Sequence, residues 1–434
     1  MVDAGAGPAR HLDFNGEGEE RAIANPAFAI WRRLPVRPRQ QFARALIGLL
    51  RPRLAGGGGP PPADWPVVIV GFLSSPSGLG QAARLAAAAF AREGVSVFGV
   101  DLGRHFFEGG GAIDHGIAAG GRLVGPAHVI ININAPYLPY ALWLLGRRFL
   151  RDKHLTGYWA WELPNVPPSW SRGYRCVHDI AVPSRFVASA VAARSAGRPV
   201  MVAPHPVALD PPPPAVRRQG APYSPAQPFT VMSVLNVASG FERKNPLALI
   251  TAFRQAFGND PSARLRLSVV NADHFPPAGS AITKAVAGQA NIEVNWHSMD
   301  RDAFRAWWGT PDLYASLHRA EGFGLPLAEA MCAGYPVLAT GWSGNLEFMT
   351  EDNAFLVGYR LADIKDPQAK YSPAEGQWAE PDIDHAARLM RQIRGEPALA
   401  AARAERARMD ILTRCDSASF CRAIRSAAAG GWAR

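Results

Sequence analysis

Residues 314–349 read Y-A-S-L-H-R-A-E-G-F-G-L-P-L-A-E-A-M-C-A-G-Y-P-V-L-A-T-G-W-S-G-N-L-E-F-M, and this stretch sets the fold class. Its first residues close an apolar run that begins at 312 and predicts the end of a strand. Gly322 and Gly324 then allow a tight turn with close approach of the backbone to a ligand, and Pro326 suits the first turn of a helix. Gly334 is placed to end that helix. A strand that passes through a glycine turn into a helix start presents unpaired N–H groups and a partial positive charge, which is the physical basis of phosphate binding. Glu321 falls in the turn and Glu329 about one turn inside the helix, both near the carboxyl end of the strand, where open α/β sheets bind ligands. A further strand over 337–340 leads into G-W-S-G-N-L-E, whose Gly344 and Asn345 border the same crevice.

Outward from this stretch, short apolar runs alternate with helical patterns. The runs fall at 67–71, 95–100, 128–132, 156–161, 179–182 and 199–203, with helices over 81–92 and 184–195. A proline-rich segment follows, and a second series begins, with strands at 229–234, 264–270 and 291–296 and helices over 246–257 and 301–308. Such alternation implies parallel sheets covered by helices. The expected fold is α/β: two Rossmann-like domains facing each other across a cleft. The expected divisions are an N-terminal extension and linker over 1–62, a first domain over 63–209, a linker over 210–228, a second domain over 229–410, and a closing helix over 411–434 that packs back on the first domain.

E-G-F-G-L-P-L-A-E, residues 321–329, matches the E-x7-E motif of glycosyltransferase family 4, whose members have the two-domain GT-B fold. S-G-F-E-R-K-N-P-L-A-L-I-T-A-F at 239–253 resembles the basic donor-diphosphate segment of that family, and S-G-L-G-Q-A-A-R at 77–84 resembles its N-domain glycine loop. The resemblance covers roughly residues 67–425. It implies that Glu329 binds the donor ribose, that Glu321 lies against the transferred sugar, and that Arg243 and Lys244 neutralise the diphosphate. It further implies a donor pocket completed by Gly322, Phe323, Gly324, Leu325, His318, Ser239, Gly344 and Asn345. Many members carry an arginine five residues before the lysine, where this chain has Ser239, so Lys244 matches the family pattern directly while Arg243 is expected to replace the missing arginine from a neighbouring position. The implied reaction is transfer with retention, in which the acceptor attacks from the face that the diphosphate leaves and its proton passes to the donor phosphate. No metal and no cofactor are expected, the nucleotide sugar being a substrate.

On the acceptor side, Gly78 and Gly80 stand between a strand and a helix, and Trp161 and Glu162 stand at a strand end where an aromatic face and a carboxylate suit a sugar. A core reading of each is open as well: Trp161 as packing, Glu162 as a paired buried acid. His318 either lines the donor pocket or positions its neighbours.

The bulk numbers fit a globular enzyme. Apolar residues make up 48% and charged residues 19% of 434, which excludes a wholly disordered chain. The net charge of +10 suits an anionic partner, and with 5 lysines among 46 basic residues a lysine inside a motif is informative. The four cysteines form no C-x-x-C pair and are expected to be free thiols. No apolar run reaches membrane-spanning length and the first 20 residues lack a secretory pattern, so a cytoplasmic location is expected. Residues 28–54 interleave apolar and arginine positions, with an amphipathic helix expected from Arg39 onward, which fits a helix packed on the body or an arginine-rich arm as well as peripheral contact with the inner face of a membrane. The expected partners are a GDP- or UDP-linked sugar donor and a glycan, lipid-linked or small-molecule acceptor, with no nucleic acid. The R-K-N-P run is similar to one in some mannosyltransferases, which makes mannose a candidate sugar. The alternatives are a GT-B epimerase or phosphorylase, or a non-catalytic basic module that binds membranes or nucleic acid.

Overall fold

Two six-stranded sheets form the body, the first ordered β2-β1-β3-β4-β5-β6 and the second β12-β11-β10-β7-β8-β9. The computed structural model describes residues 61–106, 113–195, 197–208, 223–297, 299, 307 and 311–426. The first sheet comprises β1 (Val67–Gly71), β2 (Val97–Asp101), β3 (Ala127–Ile131), β4 (Lys153–Tyr158), β5 (Asp179–Val182) and β6 (Val200–Val202). All of its pairings are parallel. Three helices accompany it, α1 (Gly78–Arg92), α2 (Leu138–Leu150) and α3 (Arg185–Ala192). Buried β1 reads V-V-I-V-G without alternation, as expected of a strand covered on both faces.

The second sheet, also parallel, comprises β7 (Phe229–Asn236), β8 (Ala263–Val270), β9 (Ile292–Asn295), β10 (Leu313–Ser316), β11 (Val337–Thr340) and β12 (Phe355–Val357). It carries α4 (Phe241–Lys244), α5 (Pro246–Phe257), α6 (Pro276–Val286) and α7 (Leu325–Cys332). An antiparallel hairpin, β13 (Tyr359–Asp363) and β14 (Gln377–Pro381), then interrupts the path to α8 (Ile383–Gly395). The chain closes with α9 (Pro397–Arg414) and α10 (Ser417–Ser426).

Strand order places the functional edge. In the second sheet β7, β8 and β9 advance in one direction and β10, β11 and β12 in the other, so the order reverses between β7 and β10. Such a switch point opens a crevice at the carboxyl ends of its two strands. The loops that leave those ends are 237–245 and 317–324, the two segments that carry the basic pair and the first acid of the E-x7-E motif.

Several expected boundaries move. The closing helix was expected from 411, which falls inside α9; the break comes at Cys415–Asp416, where Asp416 accepts from Ser419 N at 2.6 Å and starts a new helix. α10 then reaches the first sheet, with the Phe420 ring 6.0 Å from Phe90 and 5.6 Å from Tyr158. The strand expected over 156–161 ends at Tyr158, because Trp159 turns its ring onto Trp170 and Tyr174. All four cysteines are free and buried. Among the described residues no helix is long and apolar enough to cross a membrane. The membrane-contact segment 28–54 and most of the helix expected over 301–308 lie outside the described residues, as does most of the 210–228 linker.

Candidate functional site

The site is built on Glu321, the first residue after the H-R-A run that follows β10, in which His318 and Ala320 are buried. Its side chain is 9% exposed and faces two cations: Lys244 Nζ lies 2.5 Å from Oε1 and Arg243 Nη1 lies 3.1 Å from Oε2. Burial by itself would raise this carboxyl, but Lys244 and Arg243 outweigh it and hold the group down at about 2. Its backbone is fixed as well, since Glu321 N donates to Ser343 Oγ at 2.9 Å and Glu321 O accepts from Gly344 N at 2.8 Å.

Glycine is required in this turn by contact rather than by habit. A Cβ on Gly344 would fall 2.1 Å from Gly322 O, and one on Gly322 would fall 2.6 Å from Trp161 O. The two donor-side loops and the W-E loop of the first domain therefore touch through bare backbone. Ser184 Oγ, at the start of α3, adds a 2.7 Å hydrogen bond to Gly322 O. Gly324 takes φ +93° and starts α7. Leu327 N and Ala328 N turn back to Gly324 O, and Pro326 has no N–H. The Gly324 and Leu325 N–H groups are thus the ones left to meet an anion at the helix start.

The basic pair divides its work. Arg243 is 3% exposed, and its guanidinium gives Nη1 to Ala320 O (2.7 Å) and both Nε (3.3 Å) and Nη2 (2.9 Å) to Ser239 O, besides facing Glu321. Burial opposes its charge, but Tyr371, Glu321 and Glu162 more than compensate and raise its pKa further. The Arg243 guanidinium thus folds back one turn onto the backbone of Ser239, the position where the family often has arginine. Lys244 is less enclosed, at 16% side-chain exposure, and among the described residues its one hydrogen bond is to Glu321. An ammonium has three donors, so two remain for a ligand. Burial, with Arg243 alongside, lowers its pKa.

Glu329 stands apart from this cluster. Its side chain is exposed, and among the described residues it has no hydrogen bond or ion pair. Burial raises the Tyr314 phenol well above its ordinary value, against a lowering contact with the Val234 backbone, and Glu329 and Glu321 add to the rise.

The remaining expected residues separate into two groups. His318 (0% exposed) and Asn345 (0% exposed) turn their polar atoms to one another at 3.1 Å, and Asn345 Nδ2 donates to Thr340 O. Burial lowers His318 to about 4, so it is neutral and acts by tying the 318–321 turn to the 341–347 loop. Phe323 is core, its ring 4.9 Å from His205 and 4.8 Å from Phe348. Trp161 is core too, with Nε1 donating to Asn165 O, whereas Glu162 points across the domains to within 3.9 Å of Arg243 Nη2. Gly80 admits no side chain, since a Cβ would meet Ser75 O at 2.3 Å, while Gly78 faces open space.

A sequence model described as "Family 4 Glycosyltransferase in conflict systems" matches residues 186–423, more than half of the chain. The protein belongs to glycosyltransferase family 4. This family 4 enzyme resembles solved structures at low identity. HepE of Anabaena, in complex with UDP and glucose, is 15% identical and aligns over 85% of this chain and 100% of its own at a TM-score of 0.57. The pneumococcal O-GlcNAc transferase GtfA, in complex with UDP and GlcNAc, is 11% identical over 85% and 99% at a TM-score of 0.56. The TarM structure from S. aureus is longer, and this chain spans 55% of it, at 12% identity, 70% coverage of this chain and a TM-score of 0.49. These likenesses are to the GT-B fold. No curated protein matches the chain.

Four parts of this glycosyltransferase site were not foreseen from sequence: Ser184, Ser343, Tyr371 and Lys370. Ser343 at φ +82° stood in the G-W-S-G run already singled out, but its bond to Glu321 N needs the two loops in register. Ser184 opens the S-R-F-V-A-S pattern as a recognisable N-cap, accepting from Val187 N. Tyr371 and Lys370 lie in the inserted hairpin, which shows no apolar alternation, β13 being mostly exposed.

Proposed function

We propose that this glycosyltransferase binds a UDP-linked sugar with its diphosphate at the start of α7 and transfers the sugar, with retention, to a glycan acceptor approaching from the Glu162 side. The observation that carries the reading is the Lys244–Glu321–Arg243 clamp at the β7/β10 switch point, beside the unpaired Gly324 and Leu325 N–H groups. A departing nucleotide diphosphate gains charge, and an ammonium with spare donors next to a helix start stabilises that charge more than it stabilises the ground state. Glu321, kept ionised by its two cations, is suited to face the developing positive charge of the sugar rather than to give a proton. UDP is favoured over GDP by HepE and GtfA, both solved with UDP.

In this reading the acceptor hydroxyl attacks on the face the diphosphate leaves, and its proton passes to the donor phosphate. Glu321 and Glu329 are not an acid and nucleophile pair of the glycosidase kind, since Glu321 is depressed and salt-bridged and Glu329 lies one turn into a helix. Incubation with UDP- and GDP-sugars, GDP-mannose included, followed by measurement of nucleotide diphosphate release and of the anomeric configuration of the product by NMR, tests the proposal. Release from a UDP-sugar with an α-linked product from an α-linked donor is expected. No release from any donor, or an inverted product, overturns it. We take Lys244 and the helix start, rather than a divalent ion, to stabilise the departing diphosphate. Turnover is expected to persist after treatment with EDTA; abolition that added Mg2+ reverses would reassign that role.

Glu329 is read as the ribose ligand. Glu329→Gln should raise donor KM about tenfold, since one carboxylate oxygen that would accept from the ribose hydroxyls becomes an amide group that cannot. A Glu329→Gln enzyme with wild-type donor KM would remove the assignment.

A further inference from the structure

Between β12 and α8 the chain leaves the donor-side sheet, forms the β13–β14 hairpin and returns. The insert grips both domains. On the donor side, Gln368 Oε1 accepts from Phe241 N at 2.5 Å, Gln368 Nε2 donates to Val237 O at 3.2 Å, and Lys370 Nζ donates to Ala238 O. On the other side, Asn165 N donates to Glu375 O at 3.0 Å, and the insert's Ile364 and Trp378, 3% and 2% exposed, join the core that contains Trp161 and Trp170. Asp366 fixes the tip by accepting from the backbone N–H groups of Gln368, Lys370 and Tyr371.

That fixed tip sets Tyr371 in the middle of the charge cluster. Its ring lies 5.8 Å from Trp161 and against Gly240, where a Cβ would come within 3.3 Å of it. Its hydroxyl meets the Arg243 guanidinium, with Glu162 and Glu321 also bearing on it. Lacking any acceptor, Arg243 is the donor in that contact, and the Tyr371 hydroxyl keeps its own proton to give. Burial first, then the two carboxylates, keep the phenol protonated well above its ordinary value.

We propose that Tyr371 is a positioning residue of the transfer site: it holds the Arg243 guanidinium, which faces Glu162 at 3.9 Å and Glu321 at 3.1 Å, and so fixes the acceptor-side carboxylate relative to Glu321, the hairpin serving to deliver it there. The inference rests on the transferase reading given above. It explains why the insert bonds to both domains instead of lying on one. A site whose catalytic groups come from two sheets needs a part that spans them, and Tyr371, with its ring on Trp161 of the first domain and its hydroxyl on the Arg243 guanidinium of the second, supplies the link.

The test is Tyr371→Phe, which keeps the ring on Trp161 and removes only the hydroxyl. A fall in kcat of about 10- to 100-fold is expected, the range for one hydrogen bond to a charged partner, with UDP affinity by calorimetry and Tm close to wild type. Glu162→Gln should lower kcat as well, and the double variant should lose less than the product of the two single losses, because both act through one arrangement. Wild-type kcat in Tyr371→Phe, a loss confined to Tm, or fully multiplicative losses would each overturn the inference while leaving the transferase reading intact. A wild-type enzyme that releases no nucleotide diphosphate from any donor overturns both.

Discussion

Glu321→Gln is expected to lower kcat by about 100- to 1,000-fold while leaving UDP affinity within a few-fold of wild type. Glutamine keeps the shape and one acceptor oxygen, so the 317–324 turn can hold its course, but it carries no charge toward the sugar. The alanine variant is the poorer experiment. It leaves Arg243 buried and Lys244 half-enclosed with their shared anion gone, and breaking a buried pair in that way costs about 3 to 5 kcal/mol. Loss of activity in Glu321→Ala would then mix chemistry with unfolding. The ion pair gives a second, independent readout. Because the folded carboxyl is depressed to about 2, its contribution to stability is complete above the unfolded value of about 4.3 and is lost as pH falls from there through about 2. Wild-type Tm should therefore drop more steeply with acid across that window than the Tm of Glu321→Gln. Equal turnover in the two proteins, measured with the donor that the wild type uses, removes Glu321 from the site.

The fold was legible because its strands are buried on both faces and so announce themselves as unbroken apolar runs; β1, β5 and β11 lie where the runs at 67–71, 179–182 and 337–340 put them. The insert was not legible for the opposite reason. β13 presents exposed residues at most positions, and Trp378 and Ile364 are buried in the core of the first domain, far earlier in the chain, a contact that no local period encodes. The same distinction runs through the site. Gly322, Gly324 and Gly344 stood out because close backbone approach leaves a residue type as its trace. The letters R-K, with serine at 239, suggest that Arg243 stands in for a missing arginine, but not where either side chain points. Which of two adjacent cations folds back on Ser239 O and which stays toward the cleft is decided by the turn of α4, where Gly240 enters at φ +103° and Asn245 leaves at φ +50°. Trp161 and Glu162 were a similar pair: alternate positions on an extended segment face opposite ways, so one went to the core and the other to the charge cluster.

That separation of the two cations makes a sharp prediction. Lys244→Met keeps the length and apolar stem of the side chain and removes the ammonium. Donor kcat/KM is expected to fall about 100- to 1,000-fold, the loss typical of one preorganised charge removed from the leaving group, with Tm shifted only slightly because Arg243 still faces Glu321. Arg243→Met should show the reverse balance. Its guanidinium holds two backbone carbonyls and two carboxylates together across 239, 320, 321 and 162, so its removal strips several buried acceptors at once and should lower Tm by many degrees before kinetics can be compared. Lys244→Arg is informative between them. An arginine has the charge but a planar, longer head that cannot reproduce the 2.5 Å contact to Oε1, so partial recovery is expected through charge alone. UDP titrations add the binding half of the argument: Lys244→Met should weaken UDP more than UMP, since only the former carries the second phosphate that an ammonium beside the α7 start would meet. Equal weakening of the two nucleotides would place Lys244 away from the diphosphate and leave it as a partner of Glu321 alone.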